Sequence, residues 1–242
     1  MKEAFRFLPA GERAVVVECG DAIDPAVNDK VVALAASLTA KPIPGVLESV
    51  VSYRSLLVMF DPMRVGGWGL RRRLARRLRS LGAVGPAETL SRTVDIPVCY
   101  GGAFGPDLPD VAAHTGLSIE EVAHRHSAVA YRVYMIGFMP GFPYLGGLDD
   151  ALVTPRLPTP RALIPAGSVG IGGNQTGVYP LDSPGGWRLI GRSPLRLYDA
   201  GSDNPVLLSA GDGVRFVPVT AEEYARIERG EWRGPYAKGV SV

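Results

Sequence analysis

The sequence predicts an α+β protein in two parts: a ferredoxin-like α/β domain over residues 1–90, then a β-barrel domain over residues 91–242. Three observations lead there. The apolar patterning of the first part runs strand, helix, strand, strand, helix, strand, the order of a split βαβ unit. Beyond it the texture changes to short apolar runs cut by Gly and Pro, the spacing of a closed or nearly closed barrel. The chain also holds 30 glycines and 21 prolines among 242 residues, which suits a turn-rich β protein, and its 46% apolar content is enough for a sizeable core.

The elements follow in order. Arg13–Cys19, RAVVVEC, is a β-branched run and reads as a strand. The next helix has Asp24 as N-cap and Pro25 at its first position, and Val27, Val31, Leu34 and Leu38 then recur at helical spacing. VLESVVSY and SLLVMF are two strands that turn at Tyr53–Arg54. WGLRRRLARRLRSL is an amphipathic helix with Leu70, Leu74, Leu78 and Leu81 on one face and six arginines around the rest. GAVGPAET reads as a linker and RTVDIPV as the strand that completes the first sheet. DLPDVAAHTG and SIEEVAHRHS form two short helices, the second with a capping box of Ser118 and Glu121. YRVYMIGF, ALIPAGSVGI, TGVYPL, WRLIG, LRLYD and VLLSAGDGVRFVPV supply barrel strands, and TAEEYARIERG is a last short helix capped by Thr220 and Glu223.

A net charge of +2 favours neither nucleic acid nor a membrane surface. The arginine helix lacks the interleaved aromatics of a nucleic-acid platform and reads as a solvated face. Ala112, Gly116 and Val122 stand where a helix-turn-helix has its small residue, turn glycine and core aliphatic. Glu120 and Glu121 would repel phosphates there, so a structural helix pair fits better. No apolar run approaches the roughly 18–20 residues of a membrane span, and MKEAFRFLPAGER is not a signal peptide. Two distant cysteines, Cys19 and Cys99, fit a reducing compartment. The expectation is a soluble, cytoplasmic protein with no nucleic-acid or membrane partner.

Several stretches carry chemistry. His124 and His126 lie two apart on a helix, about 200° around it, and cannot share a metal. With one other histidine and no C-x-x-C, no metal site is expected. His126, where the helix gives way to the barrel, is the candidate catalytic proton carrier. Ala166–Gly177, AGSVGIGGNQTG, has five glycines but no Gly-Lys-Ser/Thr anywhere, so it is not a P-loop. Its A-x-S-x-G run resembles a nucleophile elbow, but Gly170, Gly172 and Gly173 forbid the helix that must follow. Ser168 is then a turn former or a ligand-binding hydroxyl, among backbone N–H groups open to an anion. Pro-Arg recurs at Arg156 and Arg161, two pre-ordered forks suited to a carboxylate or phosphate, or else a stiffened surface loop. Trp187 follows two glycines that let an indole lie flat, as core or as ligand platform. Gly137–Asp150, GFMPGFPYLGGLDD, is too broken for a helix and too aromatic for a solvent loop, which leaves a buried corner or a pocket wall.

Taken in order, His126 and Tyr131, Gly137–Leu145, Arg156 and Arg161, Pro165–Ile171, Gln175–Gly177 with Tyr179, Ser183–Trp187 and Arg192 resemble the allophanate hydrolase subunit 1 / KipI family. The resemblance runs over most of the chain and is densest from His126 to Asp199. One mild departure is Gly172-Gly173-Asn174, where an Ala is commoner. The resemblance implies a cyclophilin-like form for the barrel. It implies a role as the B component of an ATP-dependent 5-oxoprolinase, which hydrolyses 5-oxo-L-proline to L-glutamate. The partners would be the C component, an allophanate hydrolase subunit 2-like protein, and the A component, of the LamB/YcsF type. ATP is used in the assembled complex, with the component that binds it unassigned, and the chain alone would be inactive. Other members point elsewhere: KipI inhibits a sensor histidine kinase, and related paired domains form the carboxyltransferase part of urea carboxylase. On the first reading His126 carries the proton and Gly137–Asp150 crosses the barrel's open side. Phe138, Phe142 and Tyr144 would build an apolar wall, and Arg156, Arg161, Ser168, Asn174, Gln175 and Trp187 would hold a small-molecule substrate.

Overall fold

A computed structural model of the chain describes residues 5–81 and 92–231. The backbone divides into two compact units, Met1–Thr89 and Leu90–Val242.

In the first unit, β1 (Arg6–Pro9), β2 (Ala14–Glu18), β3 (Val46–Val51) and β4 (Ser55–Phe60) make one antiparallel sheet in the order β1-β2-β4-β3. Helix α1 (Pro25–Ala40) follows β2, and α2 (Gly67–Ser80) follows β4. Asp24 caps α1 by accepting from the backbone N–H of Ala26 and Val27 at 2.9 and 3.2 Å. Alternation along the strands puts Val15, Val17, Leu56, Val58 and Phe60 on the covered face, where Val31, Leu34, Leu38, Leu70 and Leu74 of the helices meet them. The arginines are not all merely solvated: Arg72 lies 5.7 Å from the Trp68 ring centroid and Arg79 5.8 Å from that of Phe5. Arg77 Nη1 donates to the carbonyls of Ser37 and Lys41 at 2.7 and 2.6 Å and ties α2 to the end of α1.

The strand order departs from the expected βαββαβ. RTVDIPV takes no part in this sheet. The place beside β2 goes instead to β1, paired from Arg6↔Glu18 to Pro9↔Val15. Arg6–Pro9 is short and ends in a proline, which an edge strand tolerates and a strand pattern hides. The linker stretch GAVGPAET lies outside the described residues.

In the second unit a closed barrel runs in the order β10-β7-β6-β13-β5-β12-β9. Its strands are β5 (Thr93–Tyr100), β6 (Ala130–Ile136), β7 (Pro143–Gly146), β9 (Ser168–Gly172), β10 (Gln175–Val178), β12 (Arg188–Arg192) and β13 (Gly213–Pro218). β5, the strand RTVDIPV, pairs with β13 in parallel, and the other barrel pairs are antiparallel. Ile96, Val98, Tyr131, Val133, Leu145, Val169, Ile171, Val178, Val214 and Phe216 fill the interior. A separate ribbon pairs β8 (Arg161–Ile164) with β11 (Ser183–Gly185). LRLYD contributes only the isolated bridge Tyr198↔Val206.

Helices α3 (Leu108–Thr115) and α4 (Ile119–Ser127) turn at Gly116, whose φ is +71°, and pack on β12 and β13. Ala112 and Val122 join the barrel core, so this helix pair is a structural one. Ser118 accepts from the Glu121 N–H at 3.1 Å, but the Glu121 carboxylate is drawn to Arg125 Nε at 2.6 Å instead of closing the capping box. The full box forms at Thr220 and Glu223 on α5 (Ala221–Glu228). Because the barrel is closed, Gly137–Asp150 crosses no open side. It begins as a tight turn, continues as β7 (Pro143–Gly146) and ends where a short 3-10 turn starts at Asp150.

Candidate functional site

A second, smaller apolar cluster lies on the outside of the barrel wall, under the β8–β11 ribbon. It contains Phe142, Ile164, Tyr179, Trp187 and Leu189. Alternation along β9 and β10 creates it. Val169, Ile171 and Val178 point into the barrel, so Gly170, Gly172 and Gly177 face outward and leave a flat bed. Trp187 lies on that bed. A Cβ on Gly172 would collide with the indole, and Cβ atoms on Gly170 and Gly177 would each come 3.2 Å from Trp187. The glycines that accommodate the indole are therefore those of the glycine-rich stretch, rather than the pair that precedes it. Phe142 meets Trp187 edge-on at 5.6 Å, and Tyr144 and Tyr179 meet Phe142 at 5.2 and 5.3 Å.

These four rings floor a cleft of about 340 Å³. Pro160, Pro184 and Gly185-Gly186 wall it, and Phe138 and Arg156 stand at its rim. A Cβ at Gly185 would fall 2.7 Å from Ile164 and 2.8 Å from Tyr179 Oη, so only glycine lets the ribbon lie this close. The loop before β8 is pinned by Leu157 N–H to the Gly186 carbonyl at 2.7 Å. The Arg156 guanidinium sits 5.8 Å from the Trp187 ring centroid. It is exposed and forms no ion pair among the described residues. Burial pushes the Tyr179 phenol up to about 12, against the opposing pull of the Trp187 backbone N–H, Arg156 and Arg161. The phenol is therefore neutral at physiological pH.

Arg161 behaves differently. Its Nη2 donates to Asp107 Oδ1 at 2.6 Å, while Asp107 Oδ2 accepts from the Leu189 N–H at 2.6 Å. Asp107 is buried, so this pair clamps β8 to β12.

His126 lies in the barrel interior with no exposed surface and does not border the cleft. Its Nε2 is 2.8 Å from Thr176 Oγ1, its Nδ1 is 2.8 Å from Tyr100 Oη, and its ring stacks on Phe216 at 4.6 Å. Thr176 spends its one hydroxyl proton on the Gly170 carbonyl at 3.0 Å. Oγ1 must then accept from Nε2–H, and Nδ1 accepts from the Tyr100 hydroxyl. Burial lowers the imidazole pKa to about 3, so the ring is neutral. The placement is that of a core bridge between α4, β5 and β10, with both ring nitrogens engaged.

Ser168 is buried in β9, where its backbone pairs with Arg192 of β12 and Tyr179. Asn174 is exposed on the β9–β10 turn after Gly173, whose φ is +68°, and Gln175 opens β10. None of the three lines the cleft. The structure thus gathers Phe142, Tyr144, Arg156 and Trp187, and leaves out His126, Arg161, Ser168, Asn174 and Gln175. Sequence reasoning missed Tyr179 as a cleft residue. The signal was present: it lies two residues after Gly177, on the outward side of the same alternation.

The family model for the carboxyltransferase domain, subdomain C and D, matches residues 5–208. The chain is 48% identical over 208 residues to the B component of 5-oxoprolinase from Escherichia coli O157:H7, which covers 86% of this chain and 93% of that protein. It is 43% identical over 224 residues to the B component of 5-oxoprolinase from Bacillus subtilis (strain 168), across 88% of this chain and 92% of that one. Among solved structures it is similar to TTHA0988, with a TM-score of 0.77 and 41% identity over 86% of this chain. It spans 40% of that chain's length.

Proposed function

Because the chain belongs to the carboxyltransferase domain, subdomain C and D, family, we propose that it is the B component of an ATP-dependent 5-oxoprolinase and that the four-ring cleft binds 5-oxo-L-proline. Relatives at 43% and 48% identity over most of their length carry that component's name. The observation that carries the cleft assignment is Arg156: a guanidinium without an ion-pair partner among the described residues, at the rim of an aromatic floor. 5-Oxoproline has one carboxylate and an otherwise apolar ring. The planar fork of Arg156 takes the carboxylate bidentately, and the ring lies against Trp187 and Phe142. The prolines around the loop restrict its backbone, so the order lost on binding is mainly that of the side chain. Tyr179 stays protonated, a neutral wall that brings no competing charge.

The lactam is resonance-stabilised, and opening it requires activation of its carbonyl, as by phosphorylation from ATP. A single guanidinium over an apolar floor does not suit a triphosphate, so no ATP step is placed in this cleft. That step and the hydrolytic groups belong to the assembly with the two partners, the allophanate hydrolase subunit 2-like protein and the LamB/YcsF-like protein. Among the described residues no helix is long and apolar enough to cross a membrane, and we place the protein in the cytoplasm.

The test is co-expression with these two partners, purification of the complex and an assay of 5-oxoproline-dependent ATP hydrolysis. The complex is expected to be active and the single chain inactive. A complex that ignores 5-oxoproline but turns over a urea-like substrate would replace this reading with the carboxyltransferase one. Robust turnover by the single chain would show that its catalytic set is complete without partners.

A further inference from the structure

Phe138 is doubly unfavourable in the chain by itself. It is the sole non-glycine with positive φ among the described residues, at +65°. The residue is also 66% exposed. A Cβ makes this backbone strained, and phenylalanine has no side-chain hydrogen bond to offset the strain. The surroundings impose the conformation. Met139 N–H reaches the Gly137 carbonyl at 2.7 Å, closing a three-residue turn with Phe138 at its middle. Gly137 N–H to the Phe142 carbonyl and Phe142 N–H to the Met139 carbonyl, both at 3.1 Å, lock the loop. The chain uses glycine at Gly137 and Gly141 on either side, yet puts a phenylalanine where glycine would be least strained. Strain kept under these conditions points to what the ring touches. It meets Phe142 edge-on at 5.6 Å and borders the same cleft as Arg156 and Trp187.

We propose that Phe138 is the specificity-determining wall of the cleft: the turn holds its ring against the hydrocarbon face of a small cyclic carboxylate whose anionic group is on Arg156. This rests on the cleft being the 5-oxoproline site. The physical consequence is discrimination between substrate and product. Ring opening turns a monoanion with an apolar ring into an open chain with two carboxylates and an ammonium. Desolvating those added charges against an aromatic wall is unfavourable. Phe138 therefore retains the ring and expels the opened product.

Two measurements test this. In the complex with both partners, Phe138→Gly removes the ring and relieves the backbone strain. The KM for 5-oxoproline should rise about tenfold or more, inhibition by glutamate should strengthen relative to wild type, and the melting temperature should hold or increase. Phe138→Leu should restore part of the KM. An unchanged KM and unchanged glutamate inhibition in an intact complex would overturn the proposal. So would dissociation of the complex in sedimentation, which would make the ring a contact to a partner protein. In calorimetry on the full chain, 5-oxoproline and cyclopentanecarboxylate should bind wild type at least about tenfold more tightly than glutamate, and Phe138→Gly should abolish that preference. Ring acids that bind with this preference, alongside a complex inactive on 5-oxoproline, would sink the enzymatic reading and keep the wall. Ring acids that fail to bind, alongside an active complex, would remove the wall and keep the enzyme.

Discussion

Arg156 and Arg161 each follow a proline, and the fold uses them differently. Asp107, 54 residues from Arg161 in sequence, makes the difference. Nothing in the local pattern of either dipeptide announces it, so the sequence shows two forks and cannot tell the free one from the clamped one. Arg156→Lys keeps the charge and loses the planar fork. It should lower kcat/KM of the assembled enzyme about ten- to a hundredfold, on the order of 1.5–3 kcal/mol, with an unchanged melting temperature. Arg161→Lys should act on stability, because Asp107 is buried and keeps a charge with poorer partners. A melting-temperature loss with a near-normal KM is the expected signature, and the reverse pattern would exchange the two roles. His126 shows a second limit. The sequence places it where the helix ends, but burial and two hydrogen bonds decide what it does. Its folded pKa, about 3, lies below the usual 6.5, so between these values the unfolded chain binds a proton that the folded chain does not. Stability is fully present above pH 6.5 and falls as the pH drops toward 3, by on the order of 1.4 kcal/mol per pH unit from this group. Melting curves from pH 4 to 8 should show this slope, and His126→Gln should flatten it while lowering the melting temperature at pH 7.

Amphipathic helices were legible because their 3.6-residue period is local. Asp24, Leu70, Leu74 and Thr220 all serve as their spacing suggests. Strands were legible as strands but not as partners. A run such as RTVDIPV says that it alternates, not which sheet receives it, and it belongs to the barrel. β1 and β7 were hidden by a proline and by glycines. The outward glycines of β9 and β10 carry the testable weight at this scale. Gly172→Ala puts a methyl group into the Trp187 indole, so either the indole leaves its bed or the β9–β10 hairpin bends. Overpacking of this kind costs about 1–3 kcal/mol. The variant should melt lower and lose 5-oxoproline affinity together, since the displaced indole is the cleft floor. Gly173→Ala, on the turn with open space around it but a φ of +68°, should destabilise through backbone strain alone and leave affinity intact.

At the scale of the whole molecule, the two units differ in how far apart in sequence their partners lie. The first sheet is complete by Phe60, its most distant partners, Ala14 of β2 and Met59 of β4, standing 45 residues apart, and its last described helix ends at Ser80. The barrel instead closes by pairing its first strand with its last: β5 lies beside β13, and Asp95 and Arg215, ion-paired at 2.6 Å, stand 120 residues apart. On a ribosome this imposes a waiting time. At typical elongation rates about 120 residues take roughly 6–24 s, and until β13 emerges both β5 and β6 present bare edges. A chain that stops at Asp212 should therefore be captured by chaperones or aggregate, although nearly nine-tenths of its sequence has been made. Pelleting assays on such a truncation, with and without a peptide of residues 213–231 supplied during refolding, would measure how much of the loss comes from the missing strand. Premature stops late in the message are thus more hazardous than early ones, because they release a long polypeptide with two templates for intermolecular pairing and no means of sealing them.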